Sequence, residues 1–246
     1  MKAGLRVTTA LAVLLAVGGC GGGGGGSSGG GSISTAPSPP PPPPPPPPAP
    51  PPPPPPAARA YTPVAAAKAA SGVALPLGKC VNLSNMLEAP NEGDWGRAFQ
   101  DADAMRIKQA GFATVRLPVR FSSHAAATPP YAIDAAFLTR VHHVMDTLLA
   151  QNLNVILDMH HYLELFDDPD GNRARFAELW RQVALSFKDA PANVWFELIN
   201  EPNNKLNDSN LLATLTPALA AVRASNPTRP VVIGGQNWSG VDSLAS

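Results

Sequence analysis

Short apolar runs alternate with longer amphipathic segments from Leu75 to the end of the chain, and this alternation limits the possible folds. The apolar runs predict strands at residues 79–83, 114–119, 154–159, 194–199 and 230–234. The segments between them predict helices at residues 95–110, 134–151, 173–187 and 211–224. Strands that alternate with helices indicate a parallel sheet with right-handed crossovers, either a barrel or an open doubly wound sheet. No GxGxxG follows the first strand, which argues against a dinucleotide-binding fold.

The stretch from Val194 to Asn203, VWFELINEPN, predicts a buried strand that ends in a polar turn. Pro202 lacks a backbone donor and cannot continue a central strand, so Asn200 and Glu201 are expected at the carboxyl end of the strand. In parallel α/β folds, ligands bind and chemistry takes place at that end. A glutamate beside an apolar strand is a candidate general acid, because burial raises the pKa of a carboxyl group. Taken alone, these residues equally allow a strand that simply stops at a turn.

Five segments, taken in order, carry a resemblance to a known family. They are GKCVNLSNMLEAPNEGDWG, ATVRLPV, NVILDMHHY, VWFELINEPN and VVIGGQNWSG. With this order and spacing, the chain after Leu75 resembles glycoside hydrolase family 5, the cellulase family A enzymes. The resemblance implies a TIM (β/α)8 barrel and retaining hydrolysis of β-1,4-linked glucan by an endoglucanase-type enzyme, with Glu201 as acid/base. It implies no cofactor, and β-mannan is the alternative substrate class.

The resemblance also assigns substrate-binding residues. Arg116 in the second strand is expected to brace the nucleophilic carboxylate, and His160 to line the sugar site. Asn200 is expected to bond the 2-hydroxyl of the sugar, a contact that strengthens in the transition state. His161 is a further candidate, although strand alternation turns it to the other side and leaves a structural role open. Trp238 is either a platform for sugar stacking or a rim or core aromatic.

Other polar residues receive weaker expectations. Asp158 and the two histidines that follow it have a spacing seen in metal sites, but they offer few ligands on one side, so no metal is expected. His142 and His143 lie on a predicted helix and are expected in solvent.

The first strand and the loop after it also carry expectations. Cys80 is expected to be an inert buried thiol. The loop that contains Glu88 and Trp95 is a candidate wall of the cleft. The helix after it is expected to begin at Trp95, with Asp94 as its cap, and to stop at Gly111.

Residues 1–20 have the features of a lipoprotein signal peptide. Lys2 and Arg6 precede an apolar core that is too short to span a bilayer. The run from Val17 to Cys20 resembles a lipobox, so Cys20 is expected to carry lipid; the alternative is ordinary cleavage that leaves a free cysteine. The expected location is therefore the bacterial cell envelope, anchored at the outer membrane or cell surface, and otherwise the secreted fraction.

Residues 21–71 are expected to form a disordered linker, rich in glycine and then in proline. In polyproline geometry, at ~3.1 Å per residue, Pro37 to Pro56 would span roughly 60 Å. Residues 72–246 form the expected catalytic domain. Lys plus Arg and Asp plus Glu number 18 each, which gives no net charge and no basic surface for nucleic acid. The expected partners are a polysaccharide and, through Cys20, a membrane.

The catalytic domain is short for a complete barrel, which typically has ~250 residues. The expectation is a fragment with about the first five βα units, inactive by itself, because the family's nucleophilic glutamate is not found after Glu201. The alternatives are a surface lipoprotein that binds glycans without cutting them and a remnant that does not fold stably. The inner face of an open sheet is expected to expose four apolar residues to water: Val115, Leu117, Ile156 and Phe196.

Overall fold

The structure is a computed structural model that describes residues 77–244. The predicted signal peptide and linker, and Cys20 with them, lie outside the described residues. One parallel sheet holds the strands in the order β1-β2-β3-β4-β5. Its strands are β1 Cys80–Asn82, β2 Thr114–Val119, β3 Asn154–Met159, β4 Val194–Glu197 and β5 Val231–Val232. The helices are α1 Asp101–Gln109, α2 Ala135–Ala150, α3 Leu163–Asp167, α4 Pro169–Ser186, α5 Leu211–Ser225 and the short α6 Gln236–Ser239.

The predicted alternation of strands and helices is confirmed, and β2 and β3 have the predicted bounds. These two strands pair in register from Thr114–Asn154 to Val119–Met159. Strand β5 is shorter than predicted. Among the helices within residues 77–244, none is both long and apolar enough to cross a lipid bilayer.

Two helices begin at different residues from those predicted. Helix α1 starts at Asp101, where Gln100 and Asp103 form a reciprocal capping box, and the expected cap Asp94 instead accepts a bond from Asn91 N at 3.0 Å within the loop. Helix α4 starts at Pro169, because proline suits the first turn of a helix. Local cap chemistry, rather than apolar periodicity, therefore sets both starts.

The apolar core lies between the sheet and the helices, and one expectation about it is wrong. Val115, Leu117 and Phe196 are fully buried in this core and not on the inner face of the sheet. The Phe196 ring lies 5.5 Å from the ring of Trp180 in α4. Because side chains alternate along a strand, the polar residues between these positions face the other side. Ile156 does lie on the inner face but is buried, with 7% of its surface exposed, so its predicted exposure to water is wrong as well.

The inner face of the sheet is polar at β1. Cys80 is exposed there, so the expected burial of its thiol is wrong. On the helix layer, His142 is buried where solvent was expected. Its Nε2 lies 2.7 Å from Ser186 Oγ, and its ring stacks on Phe187. Helix periodicity alone did not reveal this polar contact between α2 and α4.

Two polar side chains hold the backbone of strand β4 on the side opposite the Arg116 cluster. Trp180 Nε1 donates to the carbonyl oxygen of Leu198 at 2.8 Å. Arg229 donates to the carbonyl oxygens of Val194 and Ala190, each at 2.8 Å, and its guanidinium lies 5.0 Å from the Phe196 ring centre. These bonds satisfy buried carbonyl groups at both ends of the strand. They fix the backbone that leads to Asn200 and Glu201.

The bond from Trp180 to Leu198 makes a prediction for stability. We expect Trp180→Phe to lower the free energy of unfolding by about 2–4 kcal/mol, because the buried carbonyl loses its donor and the smaller ring leaves a void. Urea unfolding followed by circular dichroism measures the change.

The control for this prediction is Leu212→Ala, because Leu212 is 78% exposed. This change should alter the free energy of unfolding by no more than about 0.5 kcal/mol. Equal stability of Trp180→Phe and the native chain would show that the indole bond does not hold β4.

Candidate active site

His160 and Asn200, two of the predicted site residues, lie at the carboxyl edge of the sheet. Backbone pairing continues past the strands there, with His160 N bonded to Val119 O at 2.9 Å and Asn200 N bonded to Met159 O at 3.0 Å. These bonds place His160 beside the end of β2 and Asn200 beside the end of β3. Parallel strands thus bring distant parts of the sequence to one edge.

Arg116 is the centre of the polar cluster on the inner face. Its Nε and Nη2 donate to the two carboxylate oxygens of Glu197 at 2.7 and 2.8 Å. Nη2 also donates to Asn200 Oδ1 at 2.8 Å, and Nη1 donates to Asn82 Oδ1 at 3.1 Å. Burial disfavours the charge of the guanidinium, but the bonds to Glu197 and the carboxyl groups around it outweigh burial and raise the pKa of Arg116.

Glu197 was not identified from the sequence as a site residue. It is an acid within an otherwise apolar strand, two residues from Trp195 and Ile199, and that position was the available signal. The fork-to-fork pairing with Arg116 is the geometry in which guanidinium and carboxylate bind most strongly. Among the described residues, Glu197 is the carboxylate that Arg116 braces.

His160 and Asp158 form a second contact at the end of β3. His160 Nδ1 is hydrogen-bonded to Asp158 Oδ2, and that oxygen lies 2.9 Å from Arg116 Nη2. Burial, followed by the charge of Arg116, lowers the pKa of His160 to about 4, so its ring is neutral near pH 7. Asp158 is fully buried, and burial together with the charge of Glu197 raises its pKa well above the usual range.

Glu201 follows Asn200 in a left-handed turn with φ of 45°. Asn203 Nδ2 donates to its carbonyl oxygen at 2.7 Å, which stabilises the turn. The Glu201 side chain is exposed, so the burial expected from the sequence is not provided by residues 77–244.

His161 does not follow the strand alternation expected from the sequence, because its φ is 52°. Its ring centre lies 4.4 Å from that of His160 and 5.5 Å from that of Trp95, both in edge contacts. The three rings form a continuous row from the β1–α1 loop to the end of β3. Glu88 is buried in the same loop, where its carboxylate accepts bonds from the backbone N–H groups of Asn85 and Met86.

An ion pair holds the loop that carries Trp95. Glu92 accepts bonds from Arg140 Nε at 2.8 Å and Nη2 at 3.0 Å, and it also accepts one from Phe99 N at 2.8 Å. Arg140 donates in turn to the carbonyl oxygen of Phe99 at 2.9 Å. The loop is thereby fastened to helix α2, which was not foreseen because the two segments are far apart in sequence.

Trp238 lies at the rim of this edge. Its side chain is 62% exposed, and its backbone N donates to Pro202 O at 3.0 Å, next to Glu201. Within residues 77–244, Trp238 therefore lies at the rim and not in the core. Across residues 77–244, no group of three His, Cys, Asp or Glu side chains stands where it would hold a metal ion.

Comparisons of the sequence with known proteins identify a family of glycoside hydrolases. The family described as Cellulase (glycosyl hydrolase family 5) matches residues 77–246. Endoglucanase H of Acetivibrio thermocellus is 38% identical over 170 residues, which are 69% of this chain and 19% of that protein. Endoglucanase B of Clostridium cellulovorans is 35% identical over 127 residues, which are 49% of this chain and 29% of that protein.

Comparison with solved structures also finds similar proteins. Thermotoga maritima Cel5A, in complex with mannotriose, has a TM-score of 0.67 and 41% identity, with 69% of this chain and 55% of that chain covered. Cellulose synthase subunit Z of Clostridioides difficile has a TM-score of 0.66 and 31% identity, with 69% of this chain and 56% of that chain covered. The chain thus spans less than a third of these two curated relatives and little more than half of the solved ones. The chain belongs to glycoside hydrolase family 5, and its five-stranded parallel sheet is part of that family's (β/α)8 barrel.

Proposed function

We propose that the chain belongs to a retaining endo-β-1,4-glucanase in which Glu201 is the acid/base. The observation that carries the proposal is the placement of Asn200 and Glu201 at the carboxyl end of β4, with Asn200 bonded to Arg116. The relatives named as endoglucanases support the substrate class. The exposed position of Glu201 leaves its carboxyl group accessible to a glycosidic oxygen.

The contacts of Asn200 support its proposed role in sugar binding. Its Oδ1 accepts the bond from Arg116, so the amide nitrogen is the end that remains to donate. A donor beside the acid/base can bond the 2-hydroxyl of the sugar, and this bond strengthens as the transition state forms. Arg116 therefore acts on substrate by orienting this amide.

Retaining hydrolysis needs a second carboxyl group at ~5–5.5 Å from the first, to act as nucleophile. Glu197 is not suited to this role, because both of its oxygens are bonded to Arg116. We expect the nucleophile to come from outside residues 77–244.

Two alternatives remain beside β-glucan hydrolysis. β-Mannan is the alternative substrate class, and the likeness to Thermotoga maritima Cel5A, whose structure was solved in complex with mannotriose, favours testing it. A glycan-binding surface lipoprotein without activity is the other alternative. Both use the same cleft, so direct binding and turnover measurements separate them.

The acid/base role of Glu201 makes a prediction for catalysis. In a chimaera in which the following barrel segments of Thermotoga maritima Cel5A are joined after Ser246, Glu201→Ala should lower turnover of cellulose and of mannan by about 10²–10⁴-fold. Aryl cellobiosides with good leaving groups should lose less in the first step, because they need little protonation. Added azide should restore turnover and give a β-glycosyl azide.

The control for this prediction is Glu164→Ala, which removes an exposed carboxyl group on helix α3. It should keep the turnover of the unaltered chimaera. Near-native hydrolysis by Glu201→Ala would show that another group is the acid/base. The ratio of glucan to mannan turnover in the unaltered chimaera decides the substrate class.

We also propose that residues 1–20 direct export, that residues 21–71 form a spacer, and that Cys20 carries the lipid anchor. The motivation is the sequence from Val17 to Cys20 after a short apolar core. In a Gram-negative host, the protein should sediment with the membrane fraction, and Cys20→Ala should release it or block its processing. Ser27→Ala is the control, since it alters the spacer just after Cys20 without removing the thiol. Equal membrane association of the native chain and Cys20→Ala would contradict lipidation.

A further inference from the structure

Asp158 lies within the polar cluster on the inner face of the sheet and is short of hydrogen-bond donors. Its side chain is fully buried. Its Oδ2 contacts His160 Nδ1 and lies 2.9 Å from Arg116 Nη2. Its Oδ1 has no hydrogen-bond partner among the described residues. An ionised carboxylate in such a place lacks the donors that normally stabilise a buried charge.

The N–H groups of Arg116 do not supply the missing bonds, because other acceptors already take them. Nη2 carries two N–H bonds, and these donate to Glu197 Oε1 and Asn200 Oδ1, each at 2.8 Å. Nε donates to the other oxygen of Glu197, and Nη1 donates to Asn82. Asp158 is therefore within ion-pair distance of the guanidinium without receiving one of its hydrogen bonds.

The charges around Asp158 are mostly of its own sign. Glu197 faces it from β4, Glu88 from the β1–α1 loop and Glu201 from the turn after β4, and each of them disfavours a further negative charge. Arg116, on β2, is the charge in this group that favours one. Burial acts in the same direction as the three acids and is the largest effect on the pKa of Asp158.

We propose that Asp158 is a neutral carboxylic acid that positions His160: its O–H donates to Nδ1 of the ring, so that Nε2 carries the ring proton. His160 then presents an N–H donor to a ligand. If Asp158 were ionised instead, it would accept a bond from Nδ1–H, and Nε2 would be an acceptor. In the proposed function, this donor would bond a sugar hydroxyl oxygen, and only that last step depends on the proposed function.

Nitrogen NMR of the 246-residue chain, labelled with ¹⁵N-histidine, tests the tautomer directly. Near pH 7, we expect His160 Nε2 to be protonated and Nδ1 to be unprotonated, with His160→Gln used to assign the signals. Asp158→Asn should keep this pattern, because its amide N–H can donate to Nδ1 in place of the carboxyl O–H. A protonated Nδ1 with a bare Nε2, or a ring protonated on both nitrogens, would overturn the proposal.

Infrared spectroscopy tests the carboxyl group itself. The main result comes from the native chain, and variants serve only to assign the band. The native chain at neutral pH should show the carbonyl band of a protonated carboxylic acid that shifts in deuterium oxide. Asp158→Asn should lose that band, whereas the control Asp167→Asn, an acid exposed on α3, should keep it. A native spectrum with no such band would contradict a neutral Asp158.

The pH dependence of unfolding gives a further test, with a sign fixed by linkage. An acid with a raised folded-state pKa contributes stability that is fully present below its unfolded pKa of ~3.9 and is lost as pH rises through the folded pKa. The native chain should therefore lose stability relative to Asp158→Asn as pH rises from about 4 to neutrality. A difference that does not change with pH would contradict the proposal. None of these readouts uses a glycan, so failure of the proposed hydrolase activity would leave them unaffected.

Discussion

The fork-to-fork bond between Arg116 and Glu197 is the interaction on which the rest of the site depends. It joins β2 to β4 across the intervening strand β3, and it uses the N–H bonds that would otherwise reach Asp158. An arginine half-buried on the inner face must find acceptors, because an unpaired charge there is costly. By taking Glu197 and Asn200 together, Arg116 sets the orientation of the amide beside Glu201.

The helix layer supports the same strand from the opposite side. Trp180 and Arg229 bond to carbonyl oxygens of β4 and its continuation, while Arg116 binds the side chain that points the other way. The strand is therefore fixed on both faces. This matters for the proposed chemistry, because a catalytic carboxyl group must be held in a defined position relative to the bond that it protonates.

The rim of the cleft is built by loops that are fastened to the scaffold. The pair of Glu92 and Arg140 holds the β1–α1 loop against α2, and the row of Trp95, His161 and His160 connects that loop to the end of β3. Aromatic and imidazole rings offer flat surfaces and single polar atoms, which in the proposed function would suit a pyranose with one apolar face and hydroxyls at its edge. The site thus combines the charged cluster around Arg116 with a row of rings at its rim.

The sequence by itself determined the order of strands and helices, the bounds of β2 and β3, and the placement of Asn200 and Glu201 at the end of β4. These features depend on apolar periodicity and on proline chemistry, which act over a few residues. The sequence segments also determined the family. The resemblance assigned Arg116 and His160 to one site, and both contact Asp158 in the structure.

Tertiary structure decided the pairings. Glu197 is bound to Arg116, 81 residues away, and His142 is buried against Ser186, 44 residues away, and no local pattern reveals either contact. Packing of the helices decides which face of β2 and β4 lies in the core, and hence the burial of Val115 and Phe196. The protonation of buried groups depends on every charge and donor nearby, which only the assembled fold brings together.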